Sequence, residues 1–157
     1  MVRVLFVCLG NICRSPAAEG VFQHMLEKNH LTDKIECDSA GTSAYHKGEP
    51  ADGRMRAHAK ERGYDLTSRS RPFIAPDDFE NFDWIVTMDE SNYLNVIKLT
   101  ANQTYRNKVV RMTDFCTIHD IEEVPDPYAG GSDGFELVMD IVEDGCHGLL
   151  KKLEFNR

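Results

Sequence analysis

Cys8 and Arg14 are separated by five residues in "CLGNICR", and that spacing suits the capture of an oxyanion beside a thiol. A short arc of backbone between them can turn its N–H groups inward as a nest for an anion. Gly10 and Asn11 are the residue types most tolerant of the positive φ angles such an arc requires. Leu9, Ile12 and Cys13 complete it. Arg14 adds a planar fork that grips two oxygens of a tetrahedral oxyanion. A Walker loop would end in Gly-Lys-Ser/Thr, whereas this one ends in Cys-Arg-Ser, so a nucleoside triphosphate is not the expected cargo. Inward amides, a helix start and Arg14 all favour a negative sulfur, and such surroundings hold a thiol ionised at neutral pH. The Ser15 hydroxyl could donate to that sulfur and later help it leave. Cys8 reads as a nucleophile, and residues 9–15 as the loop that binds its substrate.

A tyrosyl leaving oxygen, whose conjugate acid has a pKa of about 10, departs slowly without a proton donor. "VPDPYAGG" supplies a candidate: Asp126 lies between Pro125 and Pro127, with Tyr128 just beyond. Two prolines stiffen the segment and present the carboxyl with little entropic loss. Alone, the segment would pass for a turn before the last helix. Paired with Cys8 and Arg14, Asp126 is expected to act as general acid, then as the base activating water against a phosphocysteine.

These groups need elements to position them. Val2–Val7 is a nearly unbroken apolar run and reads as a strand buried on both faces, with Cys8 just after it. Ser15-Pro16 reads as a helix start, a hydroxyl cap followed by proline, and Ala18, Val21, Phe22, Met25 and Leu26 form one apolar face. Ile35–Gly41 is a weaker second strand, Arg54–Gly63 a helix, Asp83–Met88 a third strand, Asp89–Leu99 a helix and Lys108–Met112 a fourth strand. The last helix carries Phe135, Val138, Val142, Leu149 and Leu153 on one side. Strands alternating with helices imply right-handed crossovers and a mostly parallel sheet, with ligands beyond the carboxyl ends of the strands. Cys8 lies at that edge.

The 157 residues suit a single domain spanning 1–157. Eighteen basic against twenty-six acidic residues give a net charge of −8, which argues against a nucleic-acid partner. No stretch is long and apolar enough for a membrane span, and the opening residues do not resemble a secretory signal. Five cysteines without a CxxC pair indicate neither a disulfide framework nor a zinc ribbon, and a reducing cytoplasm is expected. Cys37, Cys116 and Cys146 read as packing, and Cys116 with His119 makes no convincing metal site.

"CLGNICRSP" and "DPYAG", together with "DSAGTSAY" and "TMDESN", resemble the low-molecular-weight protein tyrosine phosphatases over the whole chain. The resemblance implies an α/β, three-layer flavodoxin-like fold: a four-stranded parallel sheet with helices on both faces. It implies hydrolysis of phosphotyrosine in protein substrates, and of small aryl phosphates, without metal or cofactor. Phosphate and other oxyanions would inhibit, and the chain would be a monomer with weak self-association. By motif position Cys8 is the nucleophile, Arg14 the phosphate clamp and Asp126 the acid. Asn11, Ser15 and Ser39 shape the loop, and Tyr45 and Tyr128 flank the substrate ring. Cys8 and Cys13 resemble the family's reversible, protective disulfide pair. Many members have tryptophan at Tyr45 and tyrosine at Ala129, and some have histidine at Ser68, which bears on specificity and on the loop's polar support. Related arsenate reductases need resolving cysteines that are missing between Cys37 and Cys116. A phosphoarginine phosphatase would place a small polar residue at Ile12, and a phosphopeptide-binding module would need neither thiol nor acid.

Overall fold

Side-chain alternation in the first strand decides the architecture. In β1 (Val2–Cys8), Val4, Phe6 and Cys8 face one way and Leu5 and Val7 the other, and all five are buried. A strand covered on both sides belongs inside an α/β sheet. The computed structural model describes residues 1–155 and joins β1 to β2 (Ile35–Gly41), β3 (Trp84–Thr87) and β4 (Val109–Arg111). The four strands are parallel, in the spatial order β2-β1-β3-β4. Val2 pairs with Ile35 and Cys8 with Gly41, while Val7 pairs with Thr87, so β2, β1 and β3 end at one edge of the sheet.

The helices are α1 (Arg14–Lys28), α2 (Gly53–Glu61), α3 (Asp77–Asn81), α4 (Glu90–Ile97), α5 (Gln103–Arg106) and α6 (Ser132–Phe155). Against the Val4, Phe6 and Cys8 face pack Phe22 and Leu26 of α1, Met55 of α2 and Phe135, Val138 and Val142 of α6. Phe79 of α3, Val96 of α4 and Tyr105 of α5 cover the Leu5 and Val7 face. This is the expected three-layer arrangement, and the five apolar residues foreseen on α6 are all buried. No helix among the described residues is long and apolar enough to cross a membrane.

The differences from expectation are local. Cys8 is the last residue of β1 rather than the residue after it. The first helix begins at Arg14, with Cys13 as its N-cap residue and no side-chain capping bond. Ser15 is therefore not the cap, because its hydroxyl is engaged beneath the loop, as described below. The third and fourth strands are shorter than their apolar runs, the second helix ends at Glu61, and Asp89 caps α4 rather than opening it. Two short helices, α3 and α5, and a 3-10 turn at Met112–Phe115 had no counterpart in the sequence pattern.

Candidate active site

The chain leaves β1 at Cys8 and returns to regular structure at Arg14, and four carbonyls along this loop are paired with groups outside it. Cys8 O accepts from Thr42 N (2.9 Å), Leu9 O from Ser43 N (2.9 Å), Gly10 O from Ser70 Oγ (2.9 Å) and Ile12 O from Asp52 N (2.8 Å). The amides of Leu9 through Cys13 find no acceptor among the described residues. Buried amides without partners are costly, so a loop of this kind is built around an anion. Asn11 carries the positive φ, at 56°. Gly10 does not, contrary to expectation; a Cβ there would come within 3.0 Å of His46 Cδ2. Gly41 is needed for closeness: a Cβ would lie 2.8 Å from Leu9 O.

Behind the loop runs a buried hydrogen-bond chain. Arg71 N donates to Asn11 Oδ1 (3.0 Å), which fixes the amide so that Nδ2 donates to both Ser15 Oγ (2.8 Å) and Ser39 Oγ (2.9 Å). Each hydroxyl then meets a further partner. Ser15 Oγ lies 3.0 Å from Cys8 Sγ, and Ser39 Oγ donates to Glu19 Oε1 at 2.5 Å. Burial raises the Glu19 pKa, against the hydrogen bonds from Ser39 and Ser68. Ser68 thus joins the same network through Glu19. The side chains of Asn11 and Ser15, both expected as substrate contacts, are buried behind the loop and do not line the cavity, which leaves the Asn11 main chain in the arc itself.

Arg14 is 2% exposed. Its Nη1 donates to Asp89 Oδ2 (2.6 Å) and to Val124 O (3.0 Å), and Nη2 stands 3.7 Å from Asp126 Oδ2. Burial opposes the guanidinium charge, but Cys8, Asp89 and Asp126 outweigh it and hold its pKa above the ordinary arginine value. Asp126 is itself steadied by Tyr128 N, which donates to Oδ1 (3.0 Å). The structure brings Cys8, Arg14 and Asp126 together although more than a hundred residues separate the first two from the third.

A cavity of about 360 Å³ opens over the loop, lined by Cys8, Leu9, Gly10, Ile12, Cys13, Ser43, Tyr45, His46, Asp126 and Tyr128. Tyr45 is 84% exposed and stands edge-on to His46, with ring centroids 4.8 Å apart. His46 also approaches the Tyr128 ring (5.9 Å), and its Nδ1 is 2.8 Å from Glu49 Oε2. Cys8 and Cys13 are free thiols. Burial first, then Asp52, Cys8 and Asp126, pushes the Cys13 thiol up to about 12, so it stays protonated at neutral pH. Among the other cysteines, Cys146 is wholly buried, while Cys37 and Cys116 are partly exposed.

Sequence reasoning missed Asp89, His46 and Glu19. Asp89 had a signal, an aspartate opening a helix at the carboxyl end of a strand, where ligands bind. His46 and Glu19 gain their meaning only from the fold.

The family model described as low molecular weight phosphotyrosine protein phosphatase matches residues 3–157. The Synechocystis sp. relative slr0328 is 47% identical over 97% of this chain and 96% of its own length. The low molecular weight phosphotyrosine protein phosphatase of Homo sapiens is 37% identical over 95% and 94%. Among solved structures, a protein tyrosine phosphatase from Entamoeba histolytica with Hepes in its active site superposes with a TM-score of 0.96, at 51% identity, covering 99% of each chain.

Proposed function

This chain belongs to the low molecular weight phosphotyrosine protein phosphatase family, a family of hydrolases, and on that premise we propose that it hydrolyses phosphotyrosine through a phosphocysteine intermediate. Cys8 Sγ attacks phosphorus while the P–O bond to the tyrosyl oxygen breaks, and Asp126 gives that oxygen its proton. Water then attacks the phosphocysteine and Asp126 takes the proton it releases. The P–S bond breaks, and the Ser15 hydroxyl stabilises the departing sulfur. Arg14 and the free amides of Leu9 to Cys13 hold the phosphoryl oxygens throughout, as preorganised donors aimed at developing charge.

The observation that carries this reading is the polarity of the loop. Four of its carbonyls are turned away and paired, its amides are left over, and a thiol lies at its base. The bound Hepes of the Entamoeba phosphatase is a sulfonate, which shares the tetrahedral oxygen geometry of a phosphate ester. The apolar Ile12 and the rings of Tyr45, His46 and Tyr128 around the cavity suit an aryl ester better than a polar phosphoguanidine.

Leaving-group dependence tests the assignment. Cys8→Ser should abolish turnover while phosphate still binds. Asp126→Ala should slow phosphotyrosine at least about a hundredfold but affect an ester with an acidic phenol, such as p-nitrophenyl phosphate, much less. Equal losses for both esters would remove Asp126 as the acid.

A further inference from the structure

Charge is unevenly spread over this acidic chain. The 28 residues from Tyr45 to Pro72 hold seven Lys and Arg against four Asp and Glu, while the remainder holds eleven against twenty-two. Three of the seven are engaged inside the fold. Arg54 pairs with Asp52, Arg62 with Glu136, Asp140 and Glu143, and Arg71 with Asp38 and Asp78. Lys47, Arg56, Lys60 and Arg69 are exposed, and none forms an ion pair with a carboxylate among the described residues.

These four lie along one run of surface that begins at the cavity. Lys47 follows His46, which lines the cavity wall. Segments 48–50 and 69–70 are zipped together, with Gly48 N donating to Ser70 O (2.8 Å) and Ser70 N to Glu49 O (2.9 Å). Arg69 Nη1 reaches across this seam to Gly48 O (3.0 Å), beside Lys47. Arg56 Nε donates back to Ala51 O (2.9 Å), at the end of the same loop. Lys60, one helical turn further along α2, shares a groove with Arg56 and Thr67. The acidic groups nearby are fewer: Glu49 is held by His46, Asp65 lines the groove, and Glu61 follows Lys60.

We propose that this run is a docking strip for acidic residues flanking the phosphotyrosine of a protein substrate, an inference that rests on the phosphatase reading above. A strip that starts at the mouth of a one-residue cavity fits an extended peptide whose modified tyrosine enters that cavity. It is narrow for a lipid surface, and a net charge of −8 opposes a long polyanion. Exposed charges of this kind set partner choice and encounter rate and weaken with salt.

The test measures kcat/KM for p-nitrophenyl phosphate and for phosphotyrosine peptides whose flanks carry Glu, Gln or Lys. The Glu-flanked peptide should exceed the Gln-flanked one by about three- to tenfold at low ionic strength, with the advantage shrinking as salt is added. K47Q/K60Q changes two side chains that make no hydrogen bond among the described residues, and K47Q/R56Q/K60Q/R69Q removes the whole run. The two variants should lower the ratio stepwise towards one, with p-nitrophenyl phosphate turnover unchanged. Equal rates for the Glu and Gln peptides in the unsubstituted chain overturn the strip, as does a ratio that survives both variants. Adsorption to phosphatidylserine vesicles, abolished by the same substitutions and without any peptide preference, would assign the run to a membrane and overturn it too. If no ester is turned over but Glu-flanked peptides still bind best, the catalytic reading fails and the strip stands.

Discussion

Asp89 divides its two carboxylate oxygens between two tasks. Oδ1 accepts from Asn92 N (2.8 Å) and caps α4, while Oδ2 holds Arg14 Nη1. Asparagine caps a helix as well as aspartate does, so Asp89→Asn can keep the cap through its amide oxygen while an –NH2 group replaces the charged acceptor facing the guanidinium. Losing a charge-assisted hydrogen bond costs about 1.5–3 kcal/mol. The expected result is a fall in kcat/KM for p-nitrophenyl phosphate of about ten- to hundredfold, with little change in melting temperature. An unchanged rate would mean that Val124 O and Asp126 suffice to hold Arg14. At this scale the sequence was most informative where the chemistry is contiguous. Cys8 to Ser15 could be read because every member of the loop is a neighbour of the next. The Arg14 to Asp89 contact spans 75 residues and leaves no local pattern, and His46 looked like one more polar loop residue.

Long periodic elements were legible and short ones were not, for a simple reason of length. Phe135, Val138, Val142, Leu149 and Leu153 recur over enough turns of α6 to define a face. α3 has five residues and α5 four, too few to show a period. The cap of α5, where Asn102 Oδ1 accepts from Tyr105 N (3.2 Å), was the signal available in the sequence. Close approach between elements was also invisible beforehand. α6 lies so near the 3-10 turn that a Cβ on Gly148 would stand 1.9 Å from Phe115 O. That atom is backbone, so no rotamer change relieves the clash. Gly148→Ala should destabilise the protein by about 1–3 kcal/mol or more, measured by urea unfolding. Gly131→Ala, whose added methyl meets nothing within 4 Å, serves as the control. Equal midpoints for the two variants would show that α6 can shift without cost.

Over the whole molecule, the parallel sheet and its ligand-bearing edge followed from the order of apolar runs, whereas its acid tolerance depends on a group the sequence did not mark. Asp144 is buried on α6 and accepts from Thr117 N (2.9 Å), Ile118 N (3.1 Å), His119 N (2.8 Å) and His119 Nδ1 (2.8 Å). Burial alone would raise its pKa; the donors more than reverse this and hold the carboxyl below the usual range. Because the folded value lies below the unfolded one of about 3.9, its contribution is complete above about pH 4. That contribution drains away as pH falls towards the folded value. Asp144→Asn should therefore cost about 1–3 kcal/mol at neutral pH and show a shallower loss of stability between about pH 4 and pH 2. Parallel acid profiles for the two proteins would count against this role. The Arg14–Asp89 pair has a wider consequence, since α1 and α4 cover opposite faces of the sheet. By thermodynamic reciprocity, an occupant that steadies the guanidinium also steadies the first turn of α4, and fraying of that turn loosens the occupant. News of a filled cradle reaches the far layer over the rim of the sheet, through a single carboxylate and without any strand having to move.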